Sequence, residues 1–205
     1  MEVNCIVLAG GKSSRLGRNK LVEKVGGQSL LERVITRLAY FKSEIVVVTA
    51  QDSVLPELAG YGGLKVVRDI VPGKGALGGL YSGLTVSGRS YNVVVACDMP
   101  FINLHLFKHM IGQSENCDAV VPLFRGIAEP LHAVYSRSCL PVMQYLIEQN
   151  RLSILELFPM IKVHYVDNVD IERLDPRHLG FFNINNESDL VTGRKIAEQE
   201  GPTGD

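Results

Sequence analysis

The chain has 205 residues, which is long enough for one compact domain with a substantial core. Its formal net charge of −1, with acidic and basic residues interspersed, provides no extended basic field, so neither nucleic acid nor an anionic membrane is an expected partner. The four cysteines include no C-x-x-C pair, which argues against a structural zinc site. With no predicted leader or membrane-spanning segment, this composition favours a cytoplasmic location.

The first predicted element is a short buried strand that runs directly into a glycine-rich loop. Val3 and the run from Cys5 to Leu8 are apolar, and their brevity and β-branching favour a strand over a helix. The loop then extends from Leu8 to Lys20. Three of its residues lack a Cβ, so the main chain can approach a phosphate or a base: Gly10, Gly11 and Gly17. Arg15 and Lys20 add positive charge that suits a triphosphate.

Two common glycine-rich loops are excluded by spacing. A Walker A loop requires a glycine five residues before the glycine of its Gly-Lys-Ser, but Ile6 occupies that place ahead of Gly11. The loop glycines also lack the G-x-G-x-x-G spacing of dinucleotide-binding folds. The sequence therefore supports neither a P-loop NTPase nor a dehydrogenase.

Strands and helices alternate along the rest of the chain. A capping box of Ser29 and Glu32 begins a helix, which presents one apolar face: Leu31, Val34, Ile35 and Leu38. Further strands are predicted at 44–50, 64–68, 91–97, 119–123, 131–135, 162–166 and 181–184, and further helices at 77–86, 103–113, 138–149 and 186–198. This order predicts an α/β fold, a doubly wound and mostly parallel sheet flanked by helices in three layers, as a single domain over residues 1–200. The polar residues 201–205 are expected to form a flexible tail.

Asp98 is the strongest candidate for the chemistry. It follows an apolar strand that stops at Pro100, so its carboxylate is expected at a strand's carboxyl end, where open parallel sheets bind ligands. A carboxylate there can hold Mg²⁺ against substrate phosphates, because this ion takes one or two carboxylates together with phosphate oxygens and water. The alternative is a helix N-cap, although Asn103 already offers one.

Asp69 is a second strand-end carboxylate. Four glycines follow it up to residue 79, two before the next predicted helix and two in its first turn, so the main chain of this segment can also approach a ligand closely. The alternative role for Asp69 is an Asx-turn, because Asp commonly precedes glycine-rich turns for local reasons.

Five segments of the sequence resemble motifs of the MobA-like nucleotidyltransferases. The loop is similar to the family signature L-A-G-G-x-S-x-R-M-G-x-x-K, with Leu16 in place of Met. Asp98-Met99-Pro100 resembles the Asp-x-Pro motif whose Asp binds the metal, and the segment from Gly75 to Gly79 resembles G-P-L-x-G, with Ala76 in place of Pro. The segments 129–135 and 182–190 are similar to the family stretches E-P-L-x-A-x-Y and F-x-N-I-N-T-P-E-D-L.

This resemblance implies a Rossmann-like nucleotidyltransferase fold with a nucleotide-binding half at 1–101 and an acceptor-side half at 102–200. It implies a Mg²⁺-dependent enzyme that transfers GMP from GTP to the phosphate of molybdopterin and releases pyrophosphate. Gly10 favours GTP over CTP, because L-A-G-G accompanies guanine users in the family. The alternatives are CTP or another acceptor as substrate, or a non-catalytic nucleotide- or pterin-binding protein. Transient contact with proteins that deliver or receive the cofactor is also compatible with this function.

The resemblance also assigns roles to individual residues. The implied catalytic residues are Arg15, Lys20 and Asp98, the last also being the metal ligand. The implied nucleotide-binding residues are Leu8, Ala9, Gly10, Gly11, Lys20, Gln51, Asp69, Gly78 and Asp98. Asn183 and Asn185 are expected on the acceptor side, with a turn and cap before the last helix as the alternative. Residues 129–135 are expected to line the acceptor cleft or to form core.

Overall fold

The computed structural model describes residues 2–10, 19–58 and 60–200. The strands in this part of the chain are β1 (Asn4–Leu8), β2 (Lys24–Val25), β3 (Gln28–Ser29), β4 (Ile45–Thr49), β5 (Leu64–Arg68), β6 (Tyr91–Ala96), β7 (Ala119–Phe124), β8 (Ile127–Ala128), β9 (His132–Ser136) and β10 (Val163–Val166). The α-helices are α1 (Leu30–Leu38), α2 (Gly75–Val86), α3 (Leu104–Gly112), α4 (Leu140–Glu148), α5 (Asn168–Leu174) and α6 (Glu187–Glu200). No helix among these residues combines the length and the apolar character needed to cross a bilayer.

Eight of the described strands form one sheet in the order β10-β7-β9-β6-β1-β4-β5, with β8 paired to β7. The pairs β10/β7, β6/β1, β1/β4 and β4/β5 are parallel, whereas β9 runs antiparallel to both β6 and β7. The sheet contains strands from both predicted halves of the chain. The predicted α/β fold, with a mostly parallel sheet flanked by helices, is confirmed.

The central strands are buried on both faces. Along β1, Cys5 and Val7 belong to the core on one face, and Ile6 and Leu8 belong to the core on the other. The predicted apolar face of α1 is fully buried on the first side, and the predicted capping box is present, with Ser29 accepting from the Glu32 N–H. Helix α2 packs on the second side. Its approach is close at Gly83, where an added Cβ would lie 2.5 Å from Ile6 Cγ2.

The predicted strand at 181–184 is wrong. Residues Leu179–Phe181 form a 3₁₀ helix, and the chain then continues without joining the sheet. The apolar side chains that suggested a strand are buried separately: Phe181 stacks on Phe124 with centroids 4.6 Å apart, and Ile184 packs in a third core cluster with Leu190. The Ile184 N–H donates to the main-chain carbonyl of Asp98 at 2.9 Å.

Helix α6 holds this C-terminal segment against the rest of the molecule. Its last residue, Glu200, accepts hydrogen bonds from both Arg33 and Arg37 of α1. At its beginning, Asn186 Oδ1 accepts from the Asp189 N–H at 2.9 Å, so the predicted cap is confirmed. The predicted flexible tail at 201–205 lies outside the described residues.

Candidate active site

A cleft of about 780 Å³ lies at the carboxyl ends of β1, β4 and β6. β1 and β6 are adjacent parallel strands. After β1 the chain continues to β4 on one side of this pair, whereas after β6 it continues to β7 and β9 on the other side, so the order of the strands reverses between β1 and β6. A sheet leaves a crevice at such a switch point, and ligands bind there. The lining residues are Leu8, Gly10, Lys20, Val48, Thr49, Ala50, Asp69, Gly73, Gly75, Ala76, Gly79, Ala96, Cys97, Asp98, Met99, Glu129, Pro130, Leu131, Asn183 and Asn185.

Lys20 and Asp98 form an ion pair within this cleft. Lys20 begins a 3₁₀ helix, which Asn19 caps by accepting from the Leu21 N–H at 3.1 Å. Asn19 also donates to the carbonyl of Val54 at 2.7 Å, which fixes the direction in which the chain enters the helix. Lys20 Nζ lies 2.6 Å from Asp98 Oδ2, and the two side chains are only 15% and 14% exposed. Two predicted catalytic residues, 78 positions apart in the chain, are thus in direct contact.

The second carboxylate oxygen of Asp98 has no hydrogen-bond partner among the described residues. Oδ1 is buried and makes no hydrogen bond to any described residue. A buried carboxylate oxygen is costly to leave unsatisfied, so this atom is suited to a bound cation or ligand donor. The described residues contain no group of three acidic, His or Cys side chains that could hold a metal by themselves. This donor set fits a cation shared between one carboxylate and substrate phosphates, as Mg²⁺ commonly is.

Asn183 and Asn185 line the cleft beside the ion pair. They alternate with Ile184, which is fully buried and whose N–H is held by the carbonyl of Asp98. Asn185 Oδ1 lies 3.5 Å from Lys20 Nζ. Because Asn186 and Asp189 together cap α6, the side chains of Asn183 and Asn185 are not needed for that cap.

Asp69 lines the cleft and also forms the predicted alternative, an Asx-turn. Its Oδ1 accepts from the Val71 N–H at 3.0 Å and lies 2.7 Å from Ser82 Oγ of α2. The turn and the contact with Ser82 fix the segment between β5 and α2. One carboxylate oxygen of Asp69 is therefore committed to positioning the glycine-rich segment that follows it.

The other predicted nucleotide-binding residues differ in their exposure to the cleft. Leu8 and Gly10 line it, whereas the neighbouring Ala9 is buried and does not.

In α2, Gly79 lines the cleft, and Gly78 faces the Val71 segment, where an added Cβ would lie 3.1 Å from the carbonyl oxygen of Val71. Gln51 is exposed outside the lining set, with Nε2 3.5 Å from the carbonyl of Asp69. The predicted Gly11 and Arg15 lie outside the described residues.

Comparison with known sequences identifies the family. The sequence model of the MobA-like NTP transferase domain matches residues 5–161, which is most of the chain. The chain belongs to the MobA-like NTP transferase family. Similar proteins include the probable molybdenum cofactor guanylyltransferases of Pelotomaculum thermopropionicum, 33% identical over 97% of this chain and 95% of that protein, and of Natranaerobius thermophilus, 34% identical over 95% and 96%.

Solved structures agree with this membership. The MobA-like chain superposes on molybdopterin-guanine dinucleotide biosynthesis protein A from Archaeoglobus fulgidus with a TM-score of 0.83 and 28% identity, covering 96% of this chain and 100% of that one. The 2-C-methyl-D-erythritol 4-phosphate cytidylyltransferase from Thermus thermophilus gives a TM-score of 0.68 at 17% identity, covering 97% of this chain and 100% of that one, and shares the fold.

One wall of this MobA-like cleft comes from the segment before β9. Glu129 to Leu131 line the cleft, whereas His132 to Ser136 are buried in the sheet, so the segment at 129–135 contributes to both cleft and core. Thr49 and Ala50 also line the cleft but were not among the predicted site residues. Their signal in the sequence is their place at the end of β4, which is parallel to β1 and adjacent to it.

Proposed function

We propose that this protein transfers the GMP moiety of GTP to the terminal phosphate of molybdopterin and releases pyrophosphate, with Asp98 as the residue that would hold a Mg²⁺ ion. The relatives named as molybdenum cofactor guanylyltransferases match this chain over almost its full length, which supports the choice of both substrates. The observation that carries the proposal is the Lys20–Asp98 pair in a cleft at the switch point of the sheet, where Asp98 Oδ1 has no partner in the described part of the chain.

The transfer needs no nucleophile from the protein. An anionic oxygen of the acceptor phosphate attacks the α-phosphorus of GTP, the bond from that phosphorus to the oxygen bridging to the β-phosphate breaks, and its electron pair leaves with pyrophosphate. The task of the protein is to align these groups and to balance charge as the transition state forms. The cleft combines glycine main chain on one side with a cation and amides at its centre, which suits that task.

Lys20 and Asp98 have complementary roles in this proposal. The Lys20 ammonium offsets negative charge on the α-phosphate and on the departing pyrophosphate, and Arg15 supplies a second cation. Asp98 would hold Mg²⁺ through Oδ1, and the ion would supply charge neutralisation at the α-phosphate. Asn185, beside Lys20 Nζ, helps to orient the ammonium toward the phosphates. We assign Asn183, which also lines the cleft, to the acceptor side.

The first test is calorimetric titration of the intact protein with GTP, CTP, ATP and UTP, each with Mg²⁺ and without it. Selective binding of GTP that depends on Mg²⁺ is expected, and in Asp98→Asn the Mg²⁺ dependence should disappear. Asp170→Asn, on the surface of α5, is the matched control and should behave as wild type, because exposed ion pairs contribute little.

The second test is transfer itself, followed as pyrophosphate release from GTP that depends on added molybdopterin. Preference for CTP would move the protein to a cytidylyl-transferring branch of the family. Binding of GTP and Mg²⁺ with no transfer to molybdopterin would contradict the proposed reaction and favour a binding protein or a different acceptor.

A further inference from the structure

Glu129 lies in a turn that is fixed on several sides. The Glu129 N–H donates to the carbonyl of Pro122 in β7 at 3.0 Å, and the carbonyl of Leu131 accepts from β6 at 3.1 Å. Between them, the carbonyl of Pro130 accepts from the hydroxyl of Tyr135 at 2.9 Å, and Tyr135 is itself fully buried. The turn therefore presents the Glu129 side chain to the cleft from a rigid frame, as a specificity-determining group requires.

The carboxylate of Glu129 is half-buried and has no partner within the described part of the chain: no side chain there donates a hydrogen bond to it or forms an ion pair with it. Burial raises the pKa of Glu129 above its usual range. Desolvation of an unpaired carboxylate is unfavourable, so a ligand that offers N–H donors would recover the lost interactions. A ligand of this kind would therefore bind with its N–H donors directed at the Glu129 carboxylate.

The location of Glu129 indicates which ligand this is. β9 and β7 lie on one side of β6 in the sheet, whereas β1, β4 and β5 lie on the other. The loops after β1, β4 and β5 supply Gly10, Ala50 and Asp69 to the cleft, and Glu129 is on the opposite side of Asp98 from them. A nucleotide held by those three loops places its base away from Glu129, so the side chain faces the acceptor.

A carboxylate is unsuited to the acceptor's phosphate, because the two anions repel each other. The remaining polar groups of a pterin include a ring N–H beside an exocyclic amino group, which together offer two donors in one plane. A carboxylate accepts such a pair in a bidentate, charge-assisted arrangement. We propose that Glu129 binds this amino-lactam edge and thereby selects a 2-amino-4-oxopteridine ring in the acceptor. This inference deepens the proposed function and rests on it for the identity of the acceptor.

The test compares two rings that differ at the proposed contact. Pterin carries the amino group, and lumazine has an oxygen in its place, which would face the carboxylate as an acceptor. Both rings are titrated against the full-length protein and followed by their own fluorescence, with no turnover required. Wild type should bind pterin ~10- to 100-fold more tightly than lumazine, as expected for charge-assisted hydrogen bonds.

The variants Glu129→Gln and Glu129→Ala should lose this preference. The Gln variant keeps the shape but replaces one acceptor oxygen with a donor, so it separates hydrogen-bond pairing from packing. In the transfer assay, both variants should raise KM for molybdopterin and leave KM for GTP unchanged. Glu198→Gln, on the exposed surface of α6, is the matched control and should retain the preference.

In the ring titrations, three results would overturn the inference: equal affinity of wild type for the two rings, absence of pterin binding, or an unchanged preference in both Glu129 variants. A rise in KM for GTP alone would also reject it, because Glu129 would then act on the nucleotide. Failure of the proposed function is distinct. A wild-type protein that prefers pterin but transfers nothing from GTP to molybdopterin retains the ring-binding role of Glu129 and loses the proposed reaction.

Discussion

The two walls of the cleft are built on different principles. The first wall consists of Gly10, Ala50, Asp69 and the start of α2, all at the ends of parallel strands or in the loops that follow them. The second wall consists of Glu129, Asn183 and Asn185, whose side chains project from segments held by distant contacts. The first wall offers mainly main chain and small residues, which suit close approach to a nucleotide. The second offers carboxylate and amide groups, which suit recognition of a specific polar acceptor.

The largest expected effect is at the centre, where the walls meet. Lys20→Ala removes the ammonium that lies 2.6 Å from Asp98 and leaves that carboxylate without its partner. We expect turnover to fall by about 10²-fold or more, as for other preorganised charged donors, with the fold intact. Steady-state transfer of GMP, with circular dichroism to verify folding, measures the effect.

Lys195→Ala, an exposed lysine on α6, is the control for loss of a positive charge. Comparison of the two variants tests whether Lys20 acts on the transfer step and not on the binding of one substrate. In that case, loss of Lys20 should lower kcat more than it changes KM for GTP or for molybdopterin. Full activity in Lys20→Ala would show that this residue has no role in the transfer.

Most of the first wall could be predicted from the sequence because its parts are local, although Ala50 was not predicted. A short apolar strand followed by glycines predicts the loop after β1. At the centre of the cleft, an apolar strand followed by Asp98 likewise predicts a carboxylate at the sheet's carboxyl edge. The family resemblance identifies the glycines at the start of α2, but it does not indicate which of them face the cleft. Successive helical residues differ by about 100° around the axis, so Gly79 faces the cleft and Gly78 does not.

The second wall could not be predicted in the same detail, because long-range contacts decide it. Glu129 is placed by antiparallel pairing of β9 with β6 and β7, and this direction is not encoded in the apolar pattern of 131–135. The pattern Phe181 to Ile184 suits a strand, yet the Ile184 N–H pairs with the Asp98 carbonyl instead of a neighbouring strand. The local sequence is compatible both with a strand at 181–184 and with the observed segment outside the sheet, and tertiary packing determines which of the two forms.

His132 lies in β9, directly after the segment that carries Glu129, but it does not line the cleft. Its ring is fully buried, stacks on Phe107 with centroids 4.3 Å apart, and lies 5.1 Å from the ring of Phe181. Neither ring nitrogen has a hydrogen-bond partner among the described residues, and burial lowers the pKa of His132 to about 3. In the unfolded chain the pKa returns to about 6.5.

Because the folded pKa is the lower one, the stabilising contribution of neutral His132 is fully present above about pH 6.5 and is lost as the pH falls toward 3. The free energy of unfolding should therefore fall by about 1.4 kcal/mol per pH unit from this group. His132→Phe keeps an aromatic ring and should remove that part of the slope in urea unfolding between about pH 6 and 4. His164→Phe, exposed on β10, should keep it. An unchanged slope in His132→Phe would mean that this ring does not titrate on unfolding.

The smallest expected effect is confined to the first wall. An added Cβ at Gly10 would lie 3.8 Å from the Ala50 main-chain nitrogen, which is an ordinary contact, so Gly10→Ala should fold normally. The methyl group would instead occupy cleft space that the nucleotide uses, and KM for GTP should rise on the order of 10-fold, as one methyl group typically costs in a fitted pocket. Gly112→Ala, at the last residue of α3, where an added Cβ would meet no atom within 4 Å, is the matched control and should leave KM for GTP unchanged.

The contrast between the walls predicts that KM for molybdopterin is unaffected in Gly10→Ala, whereas Glu129→Gln gives the reverse pattern. Equal effects of Gly10→Ala on both KM values would mean that the two substrates share this part of the cleft, and the division between the walls would fail.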